Sequence, residues 1–170
     1  MYASPVLKVI KRQGSDIFFD TFHSPLGILY LVFHKGELAG INFEGEKPSC
    51  PKGRAPESFK KQLNDYFNGR LRKFSQGIVF LHGSDFEKMV WLTLKEIPYG
   101  ETRTYKWLSE RIGRPKAFRA VGQALSKNPI PIVLPCHRVI ESDGSLGGYS
   151  PGVDVKRRLL DMEYYNLMES

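Results

Sequence analysis

Residues 131–140, with the sequence PIVLPCHRVI, constrain the fold most, because they place three reactive side chains inside an apolar run. A run of this length that is rich in β-branched residues predicts a buried strand or an extended core segment. Burying a thiol, an imidazole and a guanidinium is costly unless each has a partner or a chemical task. We therefore predict a functional site at Cys136, His137 and Arg138.

Cys136 has two interpretations at this point. Free cysteines are often small core hydrophobes with no chemical role. Cationic or hydrogen-bonding neighbours, however, lower the pKa of a thiol and make it nucleophilic. His137 and Arg138 follow Cys136 directly. We predict that Cys136 is a nucleophile.

The cysteines and histidines argue against a disulfide framework and against a metal site. Cys50 and Cys136 are the only cysteines, neither is part of a Cys-x-x-Cys pair, and the histidines lack ligand spacing. Cys50 lies in a polar stretch rich in Pro and Gly, residues 45–56, where we expect it to be exposed. The N-terminus lacks the apolar stretch of a signal peptide, and no run could span a membrane. We therefore expect a cytoplasmic protein.

Basic residues are concentrated just before the cysteine segment. The chain of 170 residues has a net charge of +7, and residues 100–127 alone hold seven basic and two acidic side chains. Charged stretches are usually solvated faces, so this pattern by itself supports a polyanionic partner only weakly.

The order of the predicted elements indicates two domains, an N-terminal structural domain over residues 1–80 and a C-terminal domain over residues 84–170. The first half reads as three strands followed by one helix, and it contains no catalytic constellation. We predict the strands at residues 17–22, 28–33 and 38–43 and the helix at residues 59–67.

The second half reads as helices around a helix-turn-helix. Ser84 and Glu87 have the spacing of a capping box and start a helix that we expect to end at Ile97. Thr104 can cap a short helix that Gly113 ends in the left-handed cap position. With the helix that follows this tight turn, it fits a helix-turn-helix over about residues 104–127. We predict these two helices at residues 105–112 and 116–127, and a final helix from Val153.

The second helix of this motif is rich in small residues, and Arg119 is the one long side chain among them. Small residues allow either tight helix packing or a close approach of the helix to a narrow groove, and the pattern alone does not decide between these. The small residues are Ala117, Ala120, Gly122 and Ala124.

Together these pieces resemble the O6-alkylguanine-DNA alkyltransferases, which are direct-reversal DNA repair proteins. The resemblance covers residues 84–165, and the Pro-Cys-His-Arg-Val string beside a helix-turn-helix is its most specific feature. Residues 24–27 and the following hairpin resemble the family's variable N-terminal domain less closely. The matching segments are Pro98-Tyr99-Gly100-Glu101, Thr104-Tyr105, Pro115-Lys116-Ala117, Arg119-Ala120-Val121-Gly122, Asn128-Pro129, Pro135 to Val139, Gly148-Tyr149, and Lys156 with Leu159, Leu160 and Glu163.

The resemblance implies a role for each matching residue of the active site. Cys136 would accept the alkyl group, His137 would take the thiol proton through a bridging water, and Glu163 would orient the imidazole. Tyr149 would protonate the leaving guanine at N3, and Asn128 would hold the turn between the DNA-binding helix and the cysteine. From its position alone, Glu163 could equally be an exposed helical glutamate.

The implied partner is double-stranded DNA that contains O6-alkylguanine, and also O4-alkylthymine, approached from the minor groove. A base inside a duplex cannot reach a buried thiol, so it would be rotated out of the stack. Arg119 would fill the vacated space, Tyr105 would press on the neighbouring phosphate, and the Ser150 amide would bind O6. The carbonyl groups of Cys136 and Val139 would read the exocyclic amine. The implied substrate-binding residues are Tyr105, Arg119, Gly122, Pro131, Val139 and Ser150.

The resemblance also implies the fold class and the reaction type. The fold would be mixed α/β (α+β), with a small ribonuclease H-like sheet domain followed by a mainly helical domain. The alkyl group would pass irreversibly to Cys136, once per molecule, as in a single-turnover methyltransferase without cofactor or metal. We expect a monomer that associates with the nucleoid in a prokaryote or lies in the nucleus of a eukaryote.

Two positions depart from the family pattern. Phe118 stands where many members carry a small residue, so we expect different groove contacts there. Pro151 replaces a common glycine, which would stiffen its loop and narrow the range of alkyl groups accepted.

Three other interpretations compete with this one. A DNA cytosine methyltransferase also uses a Pro-Cys nucleophile, but it needs a cofactor-binding domain with a Gly-rich loop that this chain lacks. An alkyltransferase-like protein binds lesions without the cysteine that is present here as Cys136. A Cys-His-Glu hydrolase would regenerate its thiol, so repeated turnover distinguishes it from an alkyl acceptor.

Overall fold

The computed structural model describes residues 16–170, and these form two compact units that adjoin in the sequence at His82 and Gly83. The N-terminal stretch without signal-peptide character falls in residues 1–15, which lie outside the described residues. No helix within residues 16–170 has the length and apolar character needed to span a bilayer.

The first unit is a three-stranded antiparallel sheet with one helix packed on it, and the strands follow chain order across the sheet. Aromatic rings join the helix to the sheet. The ring centroids of Phe33 and Phe59 are 5.8 Å apart, and those of Phe22 and Phe67 are 6.3 Å apart. The elements are β1 (Ile17–Ser24), β2 (Gly27–His34), β3 (Glu37–Asn42) and α1 (Glu57–Phe67).

Cys50 is buried, so the prediction that it is exposed is wrong. Its loop is pinned along β1, because Phe19 donates a backbone hydrogen bond of 3.0 Å to the Pro51 carbonyl and accepts one of 2.8 Å from Gly53. This pairing brings the small apolar thiol onto the sheet, where it is 9% exposed in a cluster with Ile17. A local composition of Pro and Gly does not reveal such a contact.

The second unit consists mainly of helices with two very short strands that pair in parallel. A sheet with one helix followed by a helical unit is a mixed α/β fold, and the predicted fold class is therefore confirmed. The elements are α2 (Asp85–Thr93), β4 (Arg103–Thr104), α3 (Tyr105–Arg111), α4 (Phe118–Ser126), β5 (Val139–Ile140) and α5 (Val153–Met168).

Helix α2 starts with the predicted capping box. The Ser84 hydroxyl accepts a hydrogen bond of 3.1 Å from the Glu87 amide, and the Glu87 carboxylate accepts one of 3.0 Å from the Ser84 amide. The helix ends at Thr93 rather than at Ile97, and residues 94–96 form a 3-10 turn. Because Pro98 disfavours the helical conformation of the residue before it, Ile97 is extended.

Helices α3 and α4 form the predicted helix-turn-helix. Thr104 caps α3 through its hydroxyl, which accepts a hydrogen bond of 3.0 Å from the Trp107 amide. Gly113 has a φ of 73°, a left-handed conformation that glycine adopts without steric cost at a helix end. Helix α4 begins two residues later than predicted, because Arg114 and Ala117 close a separate turn with a hydrogen bond of 2.9 Å.

Contacts with α2 fix the position of α4. The Trp91 indole donates a hydrogen bond of 2.7 Å to the Ala124 carbonyl, and Lys127 lies 2.9 Å from the Glu87 carboxylate. Val121 and Leu125 of the same helix are buried. The opposite face of α4 is thereby presented outwards.

The segment from 131 to 140 is not a continuous strand, so that alternative of the prediction is wrong. The two prolines of the segment cannot donate to a strand ladder, and Ile132 has a φ of 74°, which interrupts an extended chain. Residues 136–138 form a single 3-10 turn, and only Val139–Ile140 pair with a strand.

The Asn128 side chain closes the turn that precedes the cysteine. Its amide nitrogen donates a hydrogen bond of 2.8 Å to the Leu134 carbonyl, and its amide oxygen accepts one of 3.0 Å from Ile130. Leu134 also donates a backbone hydrogen bond of 2.9 Å to Ile130. These bonds satisfy backbone groups in a buried segment that lacks regular secondary structure.

Candidate active site

The predicted nucleophile lies on the wall of a cavity of about 570 Å³ in the second unit. Cys136 is the first residue of the 3-10 turn and is only 7% exposed. Cavities of this size are typical of small-molecule sites. Six of the predicted site residues line it: Tyr105, Arg119, Gly122, Cys136, Tyr149 and Ser150.

The other predicted site residues lie behind the cavity wall. His137 and Glu163 are fully buried, Asn128 is half-buried, and Pro131 and Val139 are buried. None of these five is among the described residues that line the cavity. A ligand in the cavity would therefore contact the six lining residues and not these five.

His137 and Glu163 form a buried pair next to the nucleophile. His137 Nε2 lies 2.8 Å from Glu163 Oε1. Burial lowers the pKa of His137, although the Glu163 carboxylate acts in the opposite direction. Because a carboxylate only accepts hydrogen bonds, the neutral imidazole carries its proton on Nε2 and leaves Nδ1 as an acceptor. Nδ1 is buried and has no hydrogen-bond partner within residues 16–170.

The Arg138 side chain binds Glu163, whereas the sequence pattern predicted that it would lower the pKa of the Cys136 thiol. Its Nε donates a hydrogen bond of 2.9 Å to Oε2, its Nη2 donates one of 2.8 Å to Oε1, and its Nη1 donates one of 2.8 Å to the Ile97 carbonyl. Burial alone would raise the pKa of Glu163, but His137 and Arg138 outweigh it and hold that pKa well below its usual range. Glu163 is therefore an ionised, buried anchor for two basic side chains and not an exposed helical glutamate.

Burial raises the pKa of the Cys136 thiol, so the prediction that its neighbours in sequence lower it is wrong in direction. The Asn128 amide and the Lys156 ammonium act in the opposite direction without reversing the shift. Near neutral pH Cys136 is consequently a neutral thiol, and it needs a base in order to react as a thiolate.

Lys156 is a buried residue of the site whose role the sequence did not reveal. It contacts the carbonyl groups of Val139 at 2.7 Å, of Gly148 at 3.4 Å, and of Leu146. Burial lowers the pKa of Lys156, while the Cys136 sulfur raises it. The sequence shows Lys156 among the residues that match the family and places it seven positions before Glu163, two helical turns away and on the same face, but it does not show these contacts.

The loop at residues 147–152 brings a phenol and a hydroxyl to the cavity. The Tyr149 hydroxyl is inaccessible to solvent and faces Cys136, and burial together with that sulfur raises the pKa of Tyr149 well above 10. Tyr149 therefore keeps its proton near neutral pH and can donate it. The Ser150 hydroxyl donates a hydrogen bond of 2.9 Å to the Ser126 carbonyl, which joins the loop to the end of α4.

The basic residues between 100 and 127 fall into two groups. Arg114, Lys116 and Arg119 are exposed and have no carboxylate partner within residues 16–170. These three lie in the turn before α4 and in its first turn. The other four are paired: Arg103 with Glu101 at 2.8 Å, Lys106 with Glu110 at 3.9 Å, Arg111 with Glu96 at 2.5 Å, and Lys127 with Glu87 at 2.9 Å.

The chemical groups of the site are a thiol, an imidazole, a carboxylate, an ammonium and a phenol. Residues 16–170 contain no cluster of three or more His, Cys, Asp or Glu side chains that could hold a metal ion. A neutral thiol and a neutral imidazole with an ionised anchor are suited to proton transfer followed by nucleophilic attack.

Comparisons with known proteins agree with these features. The family described as the DNA-binding domain of 6-O-methylguanine DNA methyltransferase matches residues 85–165. A methylated-DNA–protein-cysteine methyltransferase of Methanosarcina barkeri is 44% identical over 158 residues, which are 89% of this chain and 99% of that relative.

Two solved structures are similar over both units. The crystal structure of Mycobacterium tuberculosis OGT in complex with DNA has a TM-score of 0.83 and 40% identity, and the match covers 88% of this chain and 94% of that chain. The O6-methylguanine-DNA methyltransferase of Pyrococcus kodakaraensis has a TM-score of 0.67 and 26% identity, with coverages of 86% and 98%.

Proposed function

The chain belongs to the methylated-DNA–protein-cysteine methyltransferase family, and on this premise we propose that it repairs O6-alkylguanine in DNA by moving the alkyl group onto Cys136. The observation that carries the proposal is a buried thiol on the wall of a cavity, next to the His137 and Glu163 pair. We extend the proposal to O4-alkylthymine, which presents the same alkyl–oxygen bond. The reaction uses no cofactor and no metal.

The first step is transfer of the thiol proton. Cys136 is neutral because burial raises its pKa, and His137 is neutral because burial lowers its pKa. His137 Nδ1 accepts the proton, directly or through water, and the imidazolium is stabilised by the ionised Glu163 beside Nε2. The thiolate exists only while the His137 imidazolium lies next to it. The Cys136 and His137 side chains together therefore carry no net charge.

The second step exchanges one bond to carbon for another. The Cys136 sulfur attacks the alkyl carbon, the sulfur–carbon bond forms, and the bond from that carbon to O6 breaks with its electron pair moving into the guanine. Tyr149 donates a proton to guanine N3. The proton that His137 took from the thiol then passes to the Tyr149 oxygen, so that guanine, the imidazole and the phenol are all neutral. A thioether has no good leaving group, so the product is irreversible and each molecule reacts once.

The target base enters the cavity after rotation out of the duplex, since a buried thiol cannot reach a stacked base. Arg119 occupies the vacated space from the exposed face of α4, and Tyr105 supports the backbone at the cavity rim. Arg114 and Lys116 hold phosphates independently of sequence, because no carboxylate of the described residues neutralises them. All residues named in the mechanism come from one chain, so we expect a monomer to act on DNA. Because its substrate is DNA, we expect it at the nucleoid of a prokaryote or in the nucleus of a eukaryote.

Mass spectrometry of the intact protein tests the proposal. After incubation with an excess of duplex DNA containing O6-methylguanine, every molecule should carry one methyl group on Cys136, and the amount of guanine restored should equal the amount of protein. Cys136→Ala should bind the duplex without transfer, and Cys50→Ala, the same substitution at the other cysteine, is the matched control that should transfer normally. Guanine restored in excess over protein would contradict the proposal and favour a Cys-His-Glu hydrolase.

A further inference from the structure

Phe118 is a large apolar side chain that the fold leaves exposed at the rim of the Cys136 cavity. It is 45% exposed and is the first residue of α4. It also lines the same cavity as Cys136 and the neighbouring Arg119. Single exposed apolar residues are common on proteins and do not by themselves indicate a function.

The packing of α4 does not require a phenylalanine at this place. The buried residues of the helix are Val121, Ala124 and Leu125, which lie on its other side. Phe118 makes no ring contact with another aromatic residue within 16–170. Burial of the ring therefore adds little to the stability of the fold.

Gly122 lies one helical turn after Phe118 on the same face of α4. A Cβ built on Gly122 would meet no atom within 4 Å, and its φ is not in the left-handed region. Neither packing within the protein nor the backbone conformation calls for a glycine there. The effect of the glycine is to keep the cavity face of α4 flat beside the ring, with Ser126 one turn further on.

The charges around Phe118 indicate what this surface binds. Arg114, Lys116 and Arg119 lie within four residues of Phe118 in the sequence, are exposed, and have no carboxylate partner among the described residues. An aromatic ring among unpaired cations is typical of nucleic-acid surfaces, where bases stack on aromatic side chains and the cations hold phosphates. Apolar side chains can also act as wedges between base steps from the minor groove.

We propose that Phe118 is a second DNA-opening residue, which stacks on a base next to the nucleotide that leaves the duplex, beside Arg119. This inference rests on the proposed function and adds a contact with duplex DNA to it. The ring lies on the exposed rim of the cavity, whereas the thiol and the Tyr149 hydroxyl are buried, so DNA meets the ring before the base is inside.

Single-turnover rate constants for two substrates test the proposal. Duplex DNA with O6-methylguanine requires opening of the duplex, and free O6-benzylguanine does not. Phe118→Ala should lower the rate with the duplex on the order of tenfold more than the rate with the free base, because stacking on an aromatic side chain contributes that much per base. Phe118→Trp should retain most of the duplex rate.

Tyr165→Ala is the matched control, since Tyr165 is 62% exposed on α5 and lies away from the cavity. It should leave the ratio of the two rates unchanged. Equal slowing of both substrates by Phe118→Ala would place the ring in the base pocket and overturn the inference. Rates with both substrates equal to those of the unmodified chain would overturn it as well. Failure of the unmodified chain to transfer from either substrate would instead overturn the proposed function.

Discussion

Lys156 Nζ donates a hydrogen bond of 2.7 Å to the carbonyl oxygen of Val139, three residues after the nucleophile. The same ammonium contacts the Gly148 carbonyl in the loop that carries Tyr149. One buried cation thus joins the cysteine turn to the loop that carries Tyr149, the proposed proton donor. The hydrogen bond from Lys156 also fixes the direction of the Val139 carbonyl, to which the family resemblance assigns base recognition.

Replacing Lys156 by glutamine should slow alkyl transfer by raising the pKa of the Cys136 thiol further, because Lys156 is one of the groups that lower it. Lys156→Met removes the hydrogen-bond donors as well as the charge. It should raise the thiol pKa equally but lower the free energy of unfolding more, by about 1–3 kcal/mol for buried carbonyl groups that lose their partner. The pH dependence of Cys136 labelling by iodoacetamide measures the thiol pKa. If both variants had the thiol pKa of the wild type, the Lys156 ammonium would not act on the Cys136 sulfur.

The parts of the fold that short-range chemistry determines could be predicted from the sequence. The Ser84 capping box, the Thr104 cap and the left-handed Gly113 depend on residues within one helical turn, and each is present as predicted. The segment around Cys136 could not be predicted in the same way. Its conformation depends on the Asn128 side chain and on a β-branched residue, Ile132, in a left-handed conformation that sequence propensities disfavour.

The chemistry of the site was predictable as a set of residue types but not in its electrostatics. The adjacent Arg138 suggested a thiol of lowered pKa, yet its side chain reaches Glu163, which is 25 positions away. The cation near the sulfur is Lys156, from another helix. The burial of Cys50 has the same kind of cause, since a backbone pairing with β1 brings its loop onto the sheet. Contacts between residues far apart in sequence leave no local pattern.

Glu163→Gln should destabilise the protein near neutral pH by about 3–5 kcal/mol, because it leaves the buried Arg138 without its carboxylate partner. The pKa of Glu163 in the folded chain lies below its value in the unfolded chain. Its contribution is therefore complete above about pH 4.3 and is lost as the pH falls towards the folded-state pKa. Urea unfolding from neutral to acid pH should show the variant and the wild type converging in acid. Glu169→Gln, at an exposed position, should have the stability of the wild type at every pH. A difference in stability between Glu163→Gln and the wild type that stays constant at all pH values would contradict the lowered pKa of Glu163.

The rate of alkyl transfer should stay constant across neutral pH and fall only below about 6.5, the ordinary pKa of histidine, because burial lowers the pKa of His137. His137→Gln should slow transfer about 10²- to 10⁴-fold, as expected for loss of a general base. Its rate should then rise with pH as hydroxide ionises the thiol. Single-turnover rates at several pH values measure both profiles. A flat profile in the variant would mean that another group takes the proton.

Asn128→Ala should lower the free energy of unfolding by about 1–3 kcal/mol, because the Ile130 amide loses its partner and the Leu134 carbonyl keeps only its bond from the Cys136 amide. Asn128→Asp retains the acceptor for Ile130 but not the donor to Leu134, so its stability should be intermediate. Transfer should slow in the same order, since the turn positions Cys136. Denaturant unfolding and single-turnover rates provide the two measurements. An aspartate variant as unstable as the alanine variant would show that the bond to Leu134 accounts for the whole effect.

The salt dependence of DNA binding should distinguish the unpaired basic residues from the paired ones. Arg114→Ala should reduce the slope of log K against log salt concentration by about 0.9, the value expected when the protein neutralises one phosphate fewer. Arg111 has the same charge but lies 2.5 Å from Glu96, so a phosphate would have to displace that carboxylate before binding it. Arg111→Ala, the matched control, should therefore change the slope much less. Arg119→Ala should in addition slow repair of duplex DNA more than reaction with free O6-benzylguanine, because a residue that fills the vacated space acts only on the duplex. Equal slopes for the Arg111 and Arg114 variants would show that ion pairing within the protein does not decide which cations meet DNA.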